Sequence, residues 1–448
     1  MPVFSKRRAF GAIVAAAVPL SIALVPMAKP EDVGMSSERM PRITQVMQNY
    51  IDAHQVTGAV SIVARRGKVA YFEAAGLMDL EHKTPMRKDA IFRMASMSKP
   101  VTGVAIMMLV EEGKVRLTDP VSRFIPEFKN LKVAVPKAGS PEAARGRAAR
   151  TYQQGSGTEP SAPRAAGATG RGRGAPPPEF DEVPAIREIT VRDLLTHTSG
   201  LESSGLGNRE ASRRAPRRGT DNLAGYVPTL ARGPLDFQPG TQWSYSLLSG
   251  METLGRIVEI ASGQTFDVFL KQRLFDPLGM KDTGFVVPDD KLPRLVTLYQ
   301  RTEGGGFAKE ETPDWLNTKT LFSGGGGLYS TAEDYLQFAE MLVNNGELNG
   351  KRFLSPRTID LMATNHVGDL YSAGGRKGMG WGLSVEVVMD PIVANRRTSA
   401  GSFGWDGAFG THFWVDRKEK LAAVMLINET AGQMTRDFEN AVMQAVID

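Results

Sequence analysis

Ser96-Met97-Ser98-Lys99-Pro100-Val101-Thr102-Gly103-Val104-Ala105-Ile106-Met107-Met108-Leu109-Val110 is apolar on every face from Val104 onward, which predicts a helix that runs through a core and not along a surface. Glu111-Glu112-Gly113-Lys114 ends it, with Gly113 suited to a left-handed cap. Pro100 fits only within the first turn, where its missing N–H costs little. Ser96 and Lys99 stand three apart at the start of this helix and share one face, which puts an amine within reach of a hydroxyl.

A hydroxyl is a poor nucleophile at neutral pH unless a neighbouring base or cation assists it, so the pair reads as a serine activated by lysine. Ser96 is the only serine followed by Lys three positions later. Spacing alone equally describes a helix cap and a solvated lysine. The buried helix argues for the sharper reading, because it holds its first turn rigidly. Its amino end also offers free N–H groups to an oxyanion beside Ser96.

Outward from that helix, Ile43, Val46, Met47, Tyr50 and Ile51 repeat at helical spacing, predicting an amphipathic helix over Ser37 to Ala53. Ala59 to Ala64 and Val69 to Ala74 read as strands of a hairpin turning at Arg65-Arg66-Gly67-Lys68. Near the other end, Thr411 to Val415 and Leu421 to Ile427 form a second hairpin pattern, and Gln433 to Val446 reads as helix. Ser330-Thr331-Ala332-Glu333 reads as a capping box for a helix carrying Tyr335, Phe338 and Leu342. The preceding Gly324 to Gly327 lacks the Gly-Lys-Ser/Thr ending of a phosphate loop and reads as a tight turn beside a cleft. Together these elements predict an α/β (α+β) chain: an antiparallel sheet built from both chain ends and flanked by helices, with a mostly helical second lobe between.

The 448 residues are 42% hydrophobic, enough for sizeable cores. Cysteine is absent and the five histidines show no zinc-type spacing, so no metal or cofactor is implied. The net charge of +5 resides in two segments. Residues 137–178 hold seven Lys or Arg against two Glu, and Lys6, Arg7 and Arg8 add +3, leaving −3 for the remainder. A slightly acidic body is a poor partner for nucleic acid. Residues 137–178, rich in Ala, Gly, Arg and Pro, read as a disordered insertion, with an anionic-surface or partner-binding arm as the alternative. Residues 1–28 read as an export signal: Lys6-Arg7-Arg8 precedes an apolar run from Phe10 to Val25, and Arg7-Arg8-Ala9-Phe10 resembles a twin-arginine leader. A single membrane anchor is the alternative, which Pro19, Ser21 and Pro26 disfavour.

Tyr245-Ser246-Leu247 and Trp405-Asp406-Gly407 follow Ser96-Met97-Ser98-Lys99 in order. With them go Leu194-Leu195-Thr196-His197-Thr198-Ser199-Gly200, Phe237-Gln238-Pro239-Gly240 and Phe275-Asp276-Pro277-Leu278-Gly279-Met280. On these motifs residues 29–136 and 179–448 resemble the serine β-lactamase and penicillin-binding-protein superfamily, and are most similar to its class C β-lactamase-like carboxylesterases, called family VIII. The resemblance implies a β-lactamase/DD-peptidase-like fold, Ser96 as the acylated nucleophile, Lys99 as its neighbouring amine and Tyr245 as the phenol opposite. Either Lys99 or Tyr245 then takes the Ser96 proton. It further implies an oxyanion hole from the backbone N–H of Ser96 and of Ala408 on an edge strand, and a substrate-binding segment at Trp405, Asp406 and Gly407. His197 reads as structural, and Trp405 as a pocket wall or a core aromatic.

Two departures shape the expected substrate. Tyr245-Ser246-Leu247 replaces the usual Tyr-x-Asn and removes an amide. Trp405-Asp406-Gly407 replaces Lys-Thr-Gly and removes the cation that meets a substrate carboxylate, which favours neutral small-molecule esters. The expectation is therefore an exported, periplasmic or secreted serine esterase. The alternatives are a β-lactamase or D-alanyl-D-alanine carboxypeptidase, and a catalytically inactive relative that binds the cell wall. An α/β-hydrolase is disfavoured, because no Gly-x-Ser-x-Gly occurs.

Overall fold

The structure is a computed structural model that describes residues 24–140 and 180–448, apart from 204, 303, 314–317 and 430–431. The predicted leader and the bulk of the predicted insertion lie outside the described residues.

The first hairpin forms as its alternation requires: β1 (Gly58–Arg65) and β2 (Lys68–Asp79) are antiparallel, turning at Arg66 and Gly67. The short β3 (Thr84–Pro85) follows on β2. Six further labelled strands matter here: β4 (Lys132–Pro136), β5 (Phe180–Pro184), β6 (Met379–Trp381), β7 (Glu386–Val388), β8 (Phe403–Asp406) and β9 (His412–Asp416), with β10 (Leu421–Leu426) completing the second hairpin. Eight of them make one antiparallel sheet in the order β6-β7-β8-β9-β10-β1-β2-β3. The two predicted hairpins meet at its centre, where Val60 faces Leu426 and Ile62 faces Val424.

Side-chain alternation splits these central strands between two layers. Ala59, Val63, Leu421, Ala423, Met425 and Trp414 point to a core shared with α1 (Pro41–Asp52) and the C-terminal helix Met434–Met443. Val60, Ile62, Ala64, Val424, Leu426 and Phe413 point to the larger core, which holds α2 (Ser98–Glu111) and the helix Ala332–Val343. Every α2 residue from Ser98 to Leu109 is buried, as its all-round apolar character predicts. Gly113 ends it at φ +69°.

Two details differ from the sequence reading. The capping residue of the helix Ala332–Val343 is Thr331, whose side chain accepts from Asp334 N–H, and Ser330 belongs instead to a short strand, where its hydroxyl meets that of Thr283. The cap is therefore displaced by one residue from the one expected, and the Asp334 carboxylate accepts from Asp282 N–H and the Thr283 hydroxyl instead of closing a box. Second, β8 is not an edge strand, because it lies between β7 and β9. Its pairing with β7 covers only Phe403 and Gly404, however, so Trp405 and Asp406 run on beyond that neighbour. Strands β4 and β5 pair antiparallel from Lys132 with Pro184 to Pro136 with Phe180, so the chain leaves for residues 141–179 and returns at the same point.

Candidate active site

Ser96 does not open α2. It occupies a single 3-10 turn, Ala95–Met97, directly before it. Ala95 has φ +45°, a left-handed conformation that costs free energy for a residue with a Cβ. This bend is held from outside: Met94 N–H donates to Leu328 O, and Met94 O accepts from the Thr411 hydroxyl at 3.1 Å. The β8–β9 connection is thereby tied two residues before Ser96. A Cβ on Gly407 would stand 2.4 Å from Met94 O and 2.0 Å from Thr411 Oγ1, so only glycine permits this approach. Ala408 follows in the exposed turn between β8 and β9.

Lys99 lies on the first turn of α2 and is 0% exposed. Its Nζ is 2.6 Å from Leu247 O, 2.6 Å from Gly325 O and 3.2 Å from Ser96 Oγ. The carbonyl of Gly325 comes from the Gly324–Gly327 turn, which packs against α2 and is held there by Thr102 Oγ1 donating to Gly324 O at 2.8 Å. Burial pushes the Lys99 amine down to about 7, partly opposed by the negative charge of Glu252.

Tyr245 stands four residues before the helix α3 (Ser249–Ser262), and its ring lies 4.8 Å from Lys99 Nζ. Its hydroxyl accepts from Trp405 Nε1 at 3.0 Å. Burial holds this phenol well above its ordinary value, although hydrogen bonds with Ser96 and Trp405 work the other way. The residues expected at the centre therefore converge from two distant segments, Ser96 and Lys99 from one and Tyr245 from the other.

His197 packs its ring 4.6 Å from that of Tyr245, and its Nδ1 accepts from Ser246 N–H at 3.2 Å. Burial and the nearby Lys99 keep it neutral. This imidazole buttresses the tyrosine. Trp243, Tyr371, Trp381 and Trp405 extend the same wall, with Trp381 and Trp405 in edge contact at 4.5 Å. Of the first three only Trp243 stood out in the sequence, as a packing neighbour of Tyr245, because aromatics from separate segments carry no shared spacing.

Asp406 is 55% exposed, and its carboxylate lies 2.5 Å from His412 Nδ1. Behind it, Glu439 pairs with both His412 and Arg396, and Arg396 also reaches Glu386. Burial opposes protonation of His412, but Asp406 and Glu439 outweigh it and hold the imidazole up at about 9. At neutral pH the Asp406 charge thus has a cationic partner. Among the described residues no group of three or more His, Asp or Glu is arranged to hold a metal ion.

The chain matches the Beta-lactamase family profile over residues 43–446. It belongs to the β-lactamase family. This β-lactamase-family serine hydrolase is 34% identical over 395 residues to Protein Rv1367c of Mycobacterium tuberculosis, covering 85% of this chain and 88% of that protein. It is 30% identical over 429 residues to Esterase EstB of Burkholderia gladioli, covering 90% and 94%. Among solved structures, it resembles EstCE1, described as a hydrolase with promiscuous acyltransferase activity, with a TM-score of 0.70, 26% identity, and coverage of 91% and 99%. The β-lactamase-like fold expected from the motifs is therefore the observed one.

Proposed function

We propose that this chain is a carboxylesterase that cleaves small neutral esters through an acyl-enzyme on Ser96, with Lys99 in its neutral form as the base. The observation that carries this reading is the disposition of the Lys99 amine. Nζ donates to two carbonyl oxygens at 2.6 Å with Ser96 Oγ at 3.2 Å; once the amine is neutral, its two hydrogens stay on the carbonyls and its lone pair is free to take the Ser96 proton. Tyr245 is a poorer base here, because its buried phenolate is disfavoured.

In the resulting sequence Ser96 Oγ attacks the ester carbonyl carbon as its proton passes to Lys99 Nζ. The backbone N–H groups of Ser96 and Ala408 receive the oxyanion. Collapse breaks the bond to the alcohol oxygen, which takes a proton from the Tyr245 hydroxyl, and the Lys99 ammonium restores that proton. Water then attacks the acyl carbon, giving its proton to Lys99, and Ser96 Oγ leaves and is reprotonated.

The half-buried Trp243 and Trp405, backed by the fully buried Tyr371 and Trp381, support apolar substrates, as does the absence of a lysine at Trp405. The name of Esterase EstB supports ester hydrolysis over lactam hydrolysis, and the description of EstCE1 as a hydrolase with promiscuous acyltransferase activity supports an acyl-enzyme. Because His412 neutralises Asp406 below about pH 9, discrimination against carboxylates rests on the missing cation more than on repulsion. Parallel assays on short p-nitrophenyl esters, nitrocefin and D-Ala-D-Ala peptides test the reading. Ester turnover lost in Ser96→Ala is expected; turnover of the peptide or lactam alone would contradict it, and ligand binding with no turnover would favour an inactive wall-binding relative. The leader pattern further supports export to the periplasm or medium. Fractionation of a tagged chain tests that, and an unprocessed cytoplasmic product would refute it.

A further inference from the structure

The hydrolytic sequence above leaves one buried carboxylate beside the site without a task. Glu252 of α3 is 0% exposed and pairs with Arg217 at 2.6 Å. Its other oxygen accepts from the Ser323 hydroxyl at 2.6 Å. Ser323 opens the glycine turn, with its carbonyl accepting from Gly327 N–H at 2.8 Å. Two residues on, Gly325 O holds Lys99. One hydrogen bond and two residues thus separate the carboxylate from the carbonyl that orients the amine.

A buried ion pair is rarely the cheapest way to fill space, since apolar groups of similar volume are often as stable. Its presence here is explained by what it faces. The charged and titratable groups around Glu252 are Arg217, whose guanidinium also lies 5.1 Å from the Tyr226 ring, Tyr226 itself, Glu202 through their shared neighbour Ser249, and Lys99. Around Lys99 stand Ser96, Tyr245 and the neutral His197. Glu252 thus supplies the negative charge that acts on the Lys99 amine.

We propose that Glu252 is a positioning residue for Lys99: through Ser323 it fixes the turn whose Gly325 carbonyl orients the amine, and its charge, offset by Arg217, balances the ammonium formed when Ser96 is acylated. The proposal rests on the reading that Lys99 takes the Ser96 proton. It separates charge from position. Glu252→Gln keeps the shape and the acceptor for Ser323 but removes the negative charge, so the ammonium becomes less favourable. Arg217→Met leaves the negative charge unopposed and makes the ammonium more favourable. Glu252→Asp keeps the charge but withdraws it from Ser323.

The test is the pH dependence of kcat/KM for a p-nitrophenyl ester, alongside the rate at which a fluorophosphonate labels Ser96. In the wild type both fall as pH drops below about 7, the value at which Lys99 gains its proton. The midpoint is expected to move down by roughly one pH unit in Glu252→Gln and up in Arg217→Met. Glu252→Asp is expected to lower the plateau severalfold with the midpoint unmoved. A purely structural role would lower rates without moving midpoints in opposite directions. Midpoints that stay within about 0.3 unit of wild type, or that move the same way in both charge variants, overturn the proposal. If Glu252→Gln fails to fold, the direction of the Arg217→Met shift decides alone. A wild-type chain that is not labelled at Ser96 would instead remove the serine-hydrolase reading, so the two failures are distinguishable.

Discussion

At the scale of single residues, the proposed chemistry depends on a lysine that loses its proton near neutrality because it is buried. Its folded value lies below the ordinary one, so the active neutral form prevails above about pH 7 and is titrated away as pH falls through it. Tyr245→Phe tests the phenol separately. The ring contact with His197 persists while the proton donor is lost, and kcat is predicted to fall 10²- to 10⁴-fold with KM little changed. Steady-state kinetics on a p-nitrophenyl ester checks it; an unchanged kcat would exclude a proton-transfer role. The Ser96 and Lys99 pair was legible in the sequence because three positions of separation mean adjacency in any helical turn, and the 3-10 turn holding Ser96 runs directly into α2. Tyr245 was legible only through resemblance, since nothing in its own surroundings distinguishes it from a packed aromatic. Glu252, Arg217 and Ser323 were not legible at all. Their pairs join segments 35 and 71 positions apart, and such separations leave no periodic trace.

At the scale of elements, the close approach of the β8–β9 end to the bend before Ser96 is the joint on which the site turns. Gly407→Ala would force a methyl against Met94 O and is predicted to cost about 1–3 kcal/mol of stability and much of the activity. Thermal unfolding and ester turnover check both; a fully active, equally stable variant would deny that the contact matters. The ionic chain behind β8 makes a second element-scale prediction. Glu439→Gln leaves Arg396 buried without its nearer partner, at a cost of about 3 kcal/mol or more. His412 has a folded value raised to about 9. Its contribution to stability is therefore complete below its ordinary value near 6.5 and is lost as pH rises through about 9. Thermal melts between pH 6 and 10 should show that decline, and it should flatten in Asp406→Asn. The hairpins and α1 could be read from alternation and periodicity, and α2 from an apolar run with no polar face. The shifted cap at Thr331 and the inner position of β8 could not. The first depends on which of two adjacent hydroxyls the chain turns inward, and the second on where the short strands β6 and β7 dock.

At the scale of the whole molecule, both ends of the chain supply the centre of one sheet, and residues 141–179 depart from and return to the paired strands β4 and β5. That closure predicts that replacing residues 141–179 with a short Gly-Ser turn leaves the melting temperature and ester turnover close to wild type. Loss of activity in that deletion would instead give the segment a part in the cleft. Helix packing explains why groups 148 residues apart meet: α2 and α3 pack together in the larger core and carry Lys99 and the chain after Tyr245 with them. The central claim, that a neutral Lys99 activates Ser96 for acyl transfer, is tested most directly by mass spectrometry of the chain quenched during turnover of a slow ester at several pH values. The account predicts a single acyl adduct, mapped to Ser96, whose rate of formation falls about tenfold per pH unit below about 7. An adduct on another residue, no adduct during measurable turnover, or a rate of acylation that does not change between pH 5 and 8 would contradict it.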